Sequence, residues 1–185
     1  MIEGPDPRAA LVAELQAYAP TDARERAMVD EVIAFVLAHA DCFERTHLAG
    51  HITASAWIVD RARKHALLTH HRKLDRWLQL GGHADGDADV RRVALREATE
   101  ESGLRHIVPA RGGIYDVDVH VIPARGAEPE HKHYDVRFAF VADPAEPLVV
   151  SEESHALAWR PISALLGAGS DESVSRLAQK SAMLG

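Results

Sequence analysis

Between Gly81-Gly82 and Gly103 the chain sets out a glycine pair, a run of aspartates and then a helix carrying three glutamates near its end. At roughly 100° per residue, Val90, Ala94, Leu95 and Ala98 cover one arc of that helix. Glu97, Glu100 and Glu101 occupy a second arc, and Glu101 overlaps the apolar one. Like charges three and four residues apart repel by a few tenths of a kcal/mol even when exposed. Next to a buried face the penalty grows, because desolvation disfavours an ionised carboxylate. Only Arg96 stands nearby in sequence to offset it. A hard divalent cation removes the conflict, since Mg²⁺ and Mn²⁺ take carboxylate and phosphate oxygens as ligands. The alternative is a solvated acidic face at a helix end.

Composition narrows the field around this helix. The chain has 185 residues and a formal net charge of −7, which argues against a nucleic-acid polymer as partner. It leaves phosphate-bearing small molecules open, because a bound cation supplies positive charge locally. The longest fully apolar run is Val32 to Ala38, too short for a membrane span. The start, from Met1 to Asp6, has neither a basic nor an apolar leader region, so a cytoplasmic protein is expected. Cys42 is the only cysteine, which excludes an intrachain disulfide and a thiolate zinc cluster.

Periodicity divides the chain into a helical arm over 1–48 and a mixed domain over 49–185. In the arm a short helix runs from about Arg8 to Tyr18, and a second follows the start signal Pro20-Thr21-Asp22. Strands are predicted at His51 to Val59 and Ala66 to His70, and at Trp77 to Leu80 running into a Gly81-Gly82 turn. The glutamate helix spans Asp89 to Ser102 and stops at Gly103. Strands follow at Tyr115 to Ile122, His133 to Val141 and His155 to Trp159. A brief helix at Ser163 to Leu166 and a terminal one at Ser170 to Leu184 complete the chain. Helices packed on a mixed sheet are expected.

At Gly82, Arg96, Glu97, Ala98, Glu100, Glu101, Gly103 and Leu104 the chain resembles the signature of the Nudix hydrolases, the MutT-like superfamily. The resemblance implies an α+β fold, a three-layer α/β/α sandwich with a mixed sheet, here with an N-terminal helical extension. It implies Mg²⁺- or Mn²⁺-dependent hydrolysis of a diphosphate bond in a nucleoside diphosphate linked to another group or in a similar small metabolite. By the same resemblance Glu97, Glu100 and Glu101 hold the metal, the Gly81 carbonyl completes its site and Arg96 orients the carboxylates. A proton acceptor comes from the box, at Glu100, or from a later loop, where Glu152 and Glu153 stand in the right order. One position departs: the family's first glutamate falls on Ala88, flanked by Asp87 and Asp89.

Other patterns are weaker. Asp85, Asp87 and Asp89 alternate as in a calcium loop, but Val90 and Arg96 occupy the positions where an EF-hand needs glycine and glutamate. They read as turn residues and a helix cap. Downstream, Asp116, Asp118 and His120 share one strand face, and His131, His133, Asp135 and Arg137 share another. Paired as a hairpin, these strands form a His/Asp/Arg surface suited to phosphate and base recognition, or to a further metal. An ordinary solvated sheet face accounts for the same pattern. Arg72, earlier in the chain than the glycine pair, and His83, immediately after it, are candidate phosphate contacts.

The sequence therefore predicts a pyrophosphohydrolase acting on a small phosphorylated metabolite, with the arm as a homodimer surface or lid. The alternative is a Nudix-fold module that binds a nucleotide and hydrolyses it weakly or not at all.

Overall fold

A computed structural model describes residues 6–167 and 170–184. The opening residues Met1–Pro5, which the sequence assigns to the helical arm and to a leaderless start, lie outside them. Two helices lead, α1 (Arg8–Ala17) and α2 (Ala23–Ala38). Asp22 caps α2 by accepting the Glu25 N–H, and the Glu25 carboxylate reaches back to accept the Thr21 N–H at 2.8 Å. Four strands come next: β1 (Gly50–Val59), β2 (His65–His71), β3 (Arg76–Leu78) and β4 (Leu80–His83). Helix α3 (Val90–Ser102) starts at the Asp89 cap and ends at Gly103, whose φ of 72° is the left-handed geometry glycine adopts without strain. The remainder is β5 (Val108–Pro109), β6 (Asp116–Ile122), β7 (His131–Val141), β8 (Ser154–Pro161), a 3₁₀ turn (Ile162–Leu165), α4 (Glu172–Lys180) and a final 3₁₀ turn (Ser181–Leu184).

One eight-stranded mixed sheet forms the middle layer. Its spine is the parallel pair β1 and β7, in register from Gly50 opposite Lys132 to Val59 opposite Val141. On its other edge β1 forks: Thr53 to Ala56 pair with β4, while Ile58 and Val59 pair with β2. β6 runs antiparallel along β7, so the expected hairpin forms.

Alternation along β1 assigns the two faces. Ile52, Ala54, Ala56 and Ile58 join Tyr134, Val136, Phe138 and Phe140 of β7 in a core shared with α1, α2 and α3. Leu11, Leu15, Val32 and Val36 of the N-terminal helices are buried in that same cluster. On the opposite face Trp57, Val59 and Ala139 pack under Val174 and Leu177 of α4. Helices thus cover both faces, which gives the three-layer α/β/α arrangement.

Two local readings are corrected. Gly81 and Gly82 are not a turn; they lie inside β4, opposite Ser55 and Ala54, and the chain reverses beyond them at Asp85-Gly86. The terminal helix is shorter than the stretch from Ser170 to Leu184, giving way to a 3₁₀ turn after Lys180.

Candidate active site

The strand position of the glycine pair explains why both residues are glycine. Gly82 faces α3, and a Cβ built there would stand 2.5 Å from Cδ of Glu97. Gly81 faces the other way, and a Cβ there would stand 2.7 Å from the carbonyl oxygen of Ala54. The Gly81 N–H donates to Oε2 of Glu101 at 3.0 Å, anchoring that carboxylate to the strand. The last turn of α3 and the middle of β4 therefore hold two carboxylates in fixed positions.

Arg96 donates to Oε1 of Glu97 at 2.7 Å and to the His83 carbonyl at 3.0 Å. Strand, arginine and glutamate are thereby joined without the glutamate that the family places at 88. Ala88 instead packs against the main core. The flanking aspartates do not replace it. Asp87 pairs with Arg92 and accepts the Asp89 N–H, and Asp89 caps the helix.

Burial governs the electrostatics. Glu101 is buried, and desolvation pushes its carboxyl up to about 7 against the pull of the Gly81 N–H, with Glu97, Glu153 and Glu100 adding repulsion. Glu97 is raised too, chiefly by burial, with Arg96 opposing. Glu100 is exposed at the rim. Two carboxylates that resist ionisation and an exposed third form a set of hard oxygen donors short of positive charge. That chemistry fits a divalent Mg²⁺- or Mn²⁺-class ion.

The other sequence candidates fall into three groups. Both Glu152 and Glu153 are exposed, but only Glu153 is among the charges that raise the Glu101 pKa. The loop bearing Glu153 is pinned by Arg72, whose N–H donates to the Glu153 carbonyl at 2.9 Å and whose Nη2 donates to the Ser154 carbonyl at 3.1 Å. Asp135 and Arg137 are enclosed: Arg137 is 1% exposed and bonds Asp135, Asp116 and Asp118 at 2.7, 3.1 and 3.1 Å. Ser55 and Thr53 hydroxyls also donate to Asp135. This face is therefore no solvated surface, because Arg176 and Lys180 of α4 close over Asp116. His83, His131 and His133 gather at the far end of the same face, beside His51 and His120.

Two residues escaped the sequence reading. Arg45 pairs with Asp85 through bonds of 2.6 and 2.5 Å, and its guanidinium is further stabilised by the charges of Glu97 and Glu153. It is a cation at the rim of the carboxylate site, supplied by the N-terminal segment. His51 joins the histidine group through the β1–β7 pairing, which sets it opposite His133. Neither has a local motif to announce it.

The NUDIX domain family model matches residues 50–178. Solved structures with the same fold include a MutT protein from Methanosarcina mazei Go1, at 17% identity over 74% of this chain and 96% of that one, TM-score 0.54. A NUDIX-family hydrolase from Clostridium perfringens matches at 20% identity over 73% and 98%, TM-score 0.52. The E. coli dihydroneopterin triphosphate pyrophosphohydrolase matches at 15% identity over 70% and 92%, TM-score 0.52. No curated protein matches the sequence. Among the described residues no helix is long and apolar enough to cross a membrane.

Proposed function

The chain belongs to the NUDIX domain family and is a Nudix-type pyrophosphohydrolase acting on phosphorus anhydrides, and from that premise we propose how its residues divide the work. The substrate is a nucleoside diphosphate joined to another group, or a small metabolite with the same diphosphate link. Glu97, Glu100, Glu101 and the Gly81 carbonyl would hold Mg²⁺ or Mn²⁺. When bound there, the cation supplies positive charge to the phosphate oxygens and lowers the pKa of the attacking water.

The protein's own groups do the rest. Arg96, held by the His83 carbonyl, fixes the Glu97 carboxylate in place. Glu153, within electrostatic reach of Glu101, takes the proton of the attacking water. Arg72 meets a substrate phosphate with the nitrogens it does not spend on Ser154. Arg45 neutralises charge at the rim once Asp85 is satisfied. The observation that carries this reading is the pair of enclosed carboxylates, Glu97 under Gly82 and Glu101 on the Gly81 N–H.

The test is phosphate-coupled turnover of a panel of nucleoside diphosphate derivatives with Mg²⁺ and with Mn²⁺. The wild type is run beside the Glu100→Gln, Glu101→Gln double variant. Metal-dependent turnover of one compound class, absent from the variant, is expected. Metal-dependent nucleotide binding with no turnover of any compound would instead favour a binding module, the role that Ala88 suggests.

A further inference from the structure

The histidine group on the α4 side of the sheet is built by register. Parallel pairing sets His51 of β1 opposite His133 of β7, and antiparallel pairing sets His133 opposite His120 of β6. His131, two residues before His133, projects to the same side. The ring centroids of His51, His131 and His133 form a nearly equilateral triangle with sides of 5.0, 5.1 and 5.1 Å. One nitrogen from each ring falls within 4.8 Å of the other two.

Three details suit ligation. Nδ1 of His131 stands 2.9 Å from the Pro129 carbonyl, so that nitrogen carries the proton and Nε2 presents its lone pair. Nε2 of His131 and Nε2 of His133 are 3.3 Å apart. Two nitrogens about 2.0–2.1 Å from a tetrahedral zinc stand about 3.3–3.4 Å from each other. Finally, His51 is 3% exposed, and neither of its ring nitrogens makes a well-formed hydrogen bond among the described residues, the His47 backbone being the one hydrogen-bonding group that bears on the ring. A buried imidazole with both nitrogens unsatisfied is rare unless something else binds it.

We propose that His51, His131 and His133 bind one divalent transition-metal ion, zinc foremost, at a site separate from the carboxylates of α3. Three neutral imidazoles select zinc, nickel or copper over magnesium, which prefers oxygen. Burial lowers the proton affinity of His51 and, with the neighbouring rings, of His133, so their lone pairs are free near neutral pH. A fourth position is left to a water or phosphate oxygen, with His83 adjacent at 5.0 Å from the His51 ring and 5.1 Å from the His133 ring. Along β4 successive positions serve the two centres, Gly82 pointing at Glu97 and the His83 ring lying against His51, and Arg45 stands within electrostatic reach of both. The site does not depend on the hydrolytic reading.

Zinc titration of the full chain, stripped with chelator and held in millimolar Mg²⁺, tests the site by calorimetry. Cobalt absorption in the visible then reports a four-coordinate site with three nitrogen ligands. One-to-one zinc binding is expected, weakened at least about 100-fold in His51→Gln and in His133→Gln. It should persist in the Glu97→Gln, Glu100→Gln double variant. Thermal melting establishes that each variant is folded, and the half-buried His133 carries the test if His51→Gln is not. Absence of zinc binding in the wild type overturns the proposal. So does zinc binding that survives both histidine changes, or that disappears with Glu97 and Glu100.

Discussion

Gly82 and Glu97 occupy what would otherwise be the same space: the carboxylate of Glu97 lies where a side chain at 82 would begin. Gly82→Ala must therefore push Glu97 off its place and away from Arg96. Its backbone is ordinary extended strand, so alanine brings no conformational penalty of its own. With Glu97 in the proposed role of metal holder, steady-state kinetics should show kcat reduced by about 100-fold, a loss that misplacement by an ångström can bring. The melting temperature should change little. A variant with wild-type kcat would show that the Glu97 position is not what turnover depends on.

Glu101 ties stability to pH in the metal-free protein. Its carboxyl is raised from 4.5 to about 7, chiefly by burial. The folded state thus holds a proton that the unfolded chain releases near its ordinary pKa. This stabilisation is complete below about 4.5 and is lost as pH rises through about 7. Glu101→Gln keeps an acceptor for the Gly81 N–H without the charge. Chemical denaturation should find it more stable than wild type at pH 8, by an amount on the order of a few kcal/mol, and little different at pH 5. An equal difference at both pH values would contradict the burial argument.

Arg137 is the hub of the buried ion network, with Asp116, Asp118 and Asp135 around it. Removing one partner from such a set strands the others, which costs about 3–5 kcal/mol. Arg137→Met should lose that much in urea denaturation at pH 7. Asp118 is held far below its usual pKa by Arg137, His120 and Arg176 against the opposing effect of burial. Its contribution is therefore present above 3.8 and vanishes only as pH falls through the depressed value. In the variant, acid unfolding should begin at a higher pH. A loss below about 1 kcal/mol would mean that the carboxylates are solvated as surface pairs are.

The carboxylate site was legible because it is local. Arg96, Glu97, Glu100 and Glu101 stand on one helix that Gly103 ends, and their spacing is itself the signal. The hairpin of β6 and β7 was legible for a similar reason, through strict alternation on both sides of the 123–130 loop. What escaped depends on chain segments far apart. Nothing near Asp135 and Arg137 in sequence reveals that α4 covers them, so they read as facing a ligand or solvent. His51 meets His133 only through a parallel pairing that sequence periodicity does not register. Gly81-Gly82 read as a turn because glycine pairs usually make one; here Gly82 makes room for Glu97 of α3 and Gly81 for the β1 backbone at Ala54.

Glu25, from the second helix, meets Lys180, from the last, in the interior, and Lys180 also bonds Asp116 at 2.6 Å. The Tyr18 hydroxyl donates to Glu25 at 2.5 Å and accepts from Lys180 at 3.0 Å. Both ends of the chain are thus stitched to the sheet by one buried ammonium. The family's span, 50–178, includes Asp116 and excludes both Glu25 and Lys180. A fragment trimmed to that span would keep an enclosed anion, forfeit a cation that answers it, and bare the apolar side of the sheet on which α1 and α2 lie. Circular dichroism and limited proteolysis should find it without a cooperative melt, whereas a sharp transition near that of the whole protein would show the stitch to be dispensable. The heat tolerance of the carboxylates at 97 to 101 is, on this view, set by side chains beyond both borders of the motif that names them.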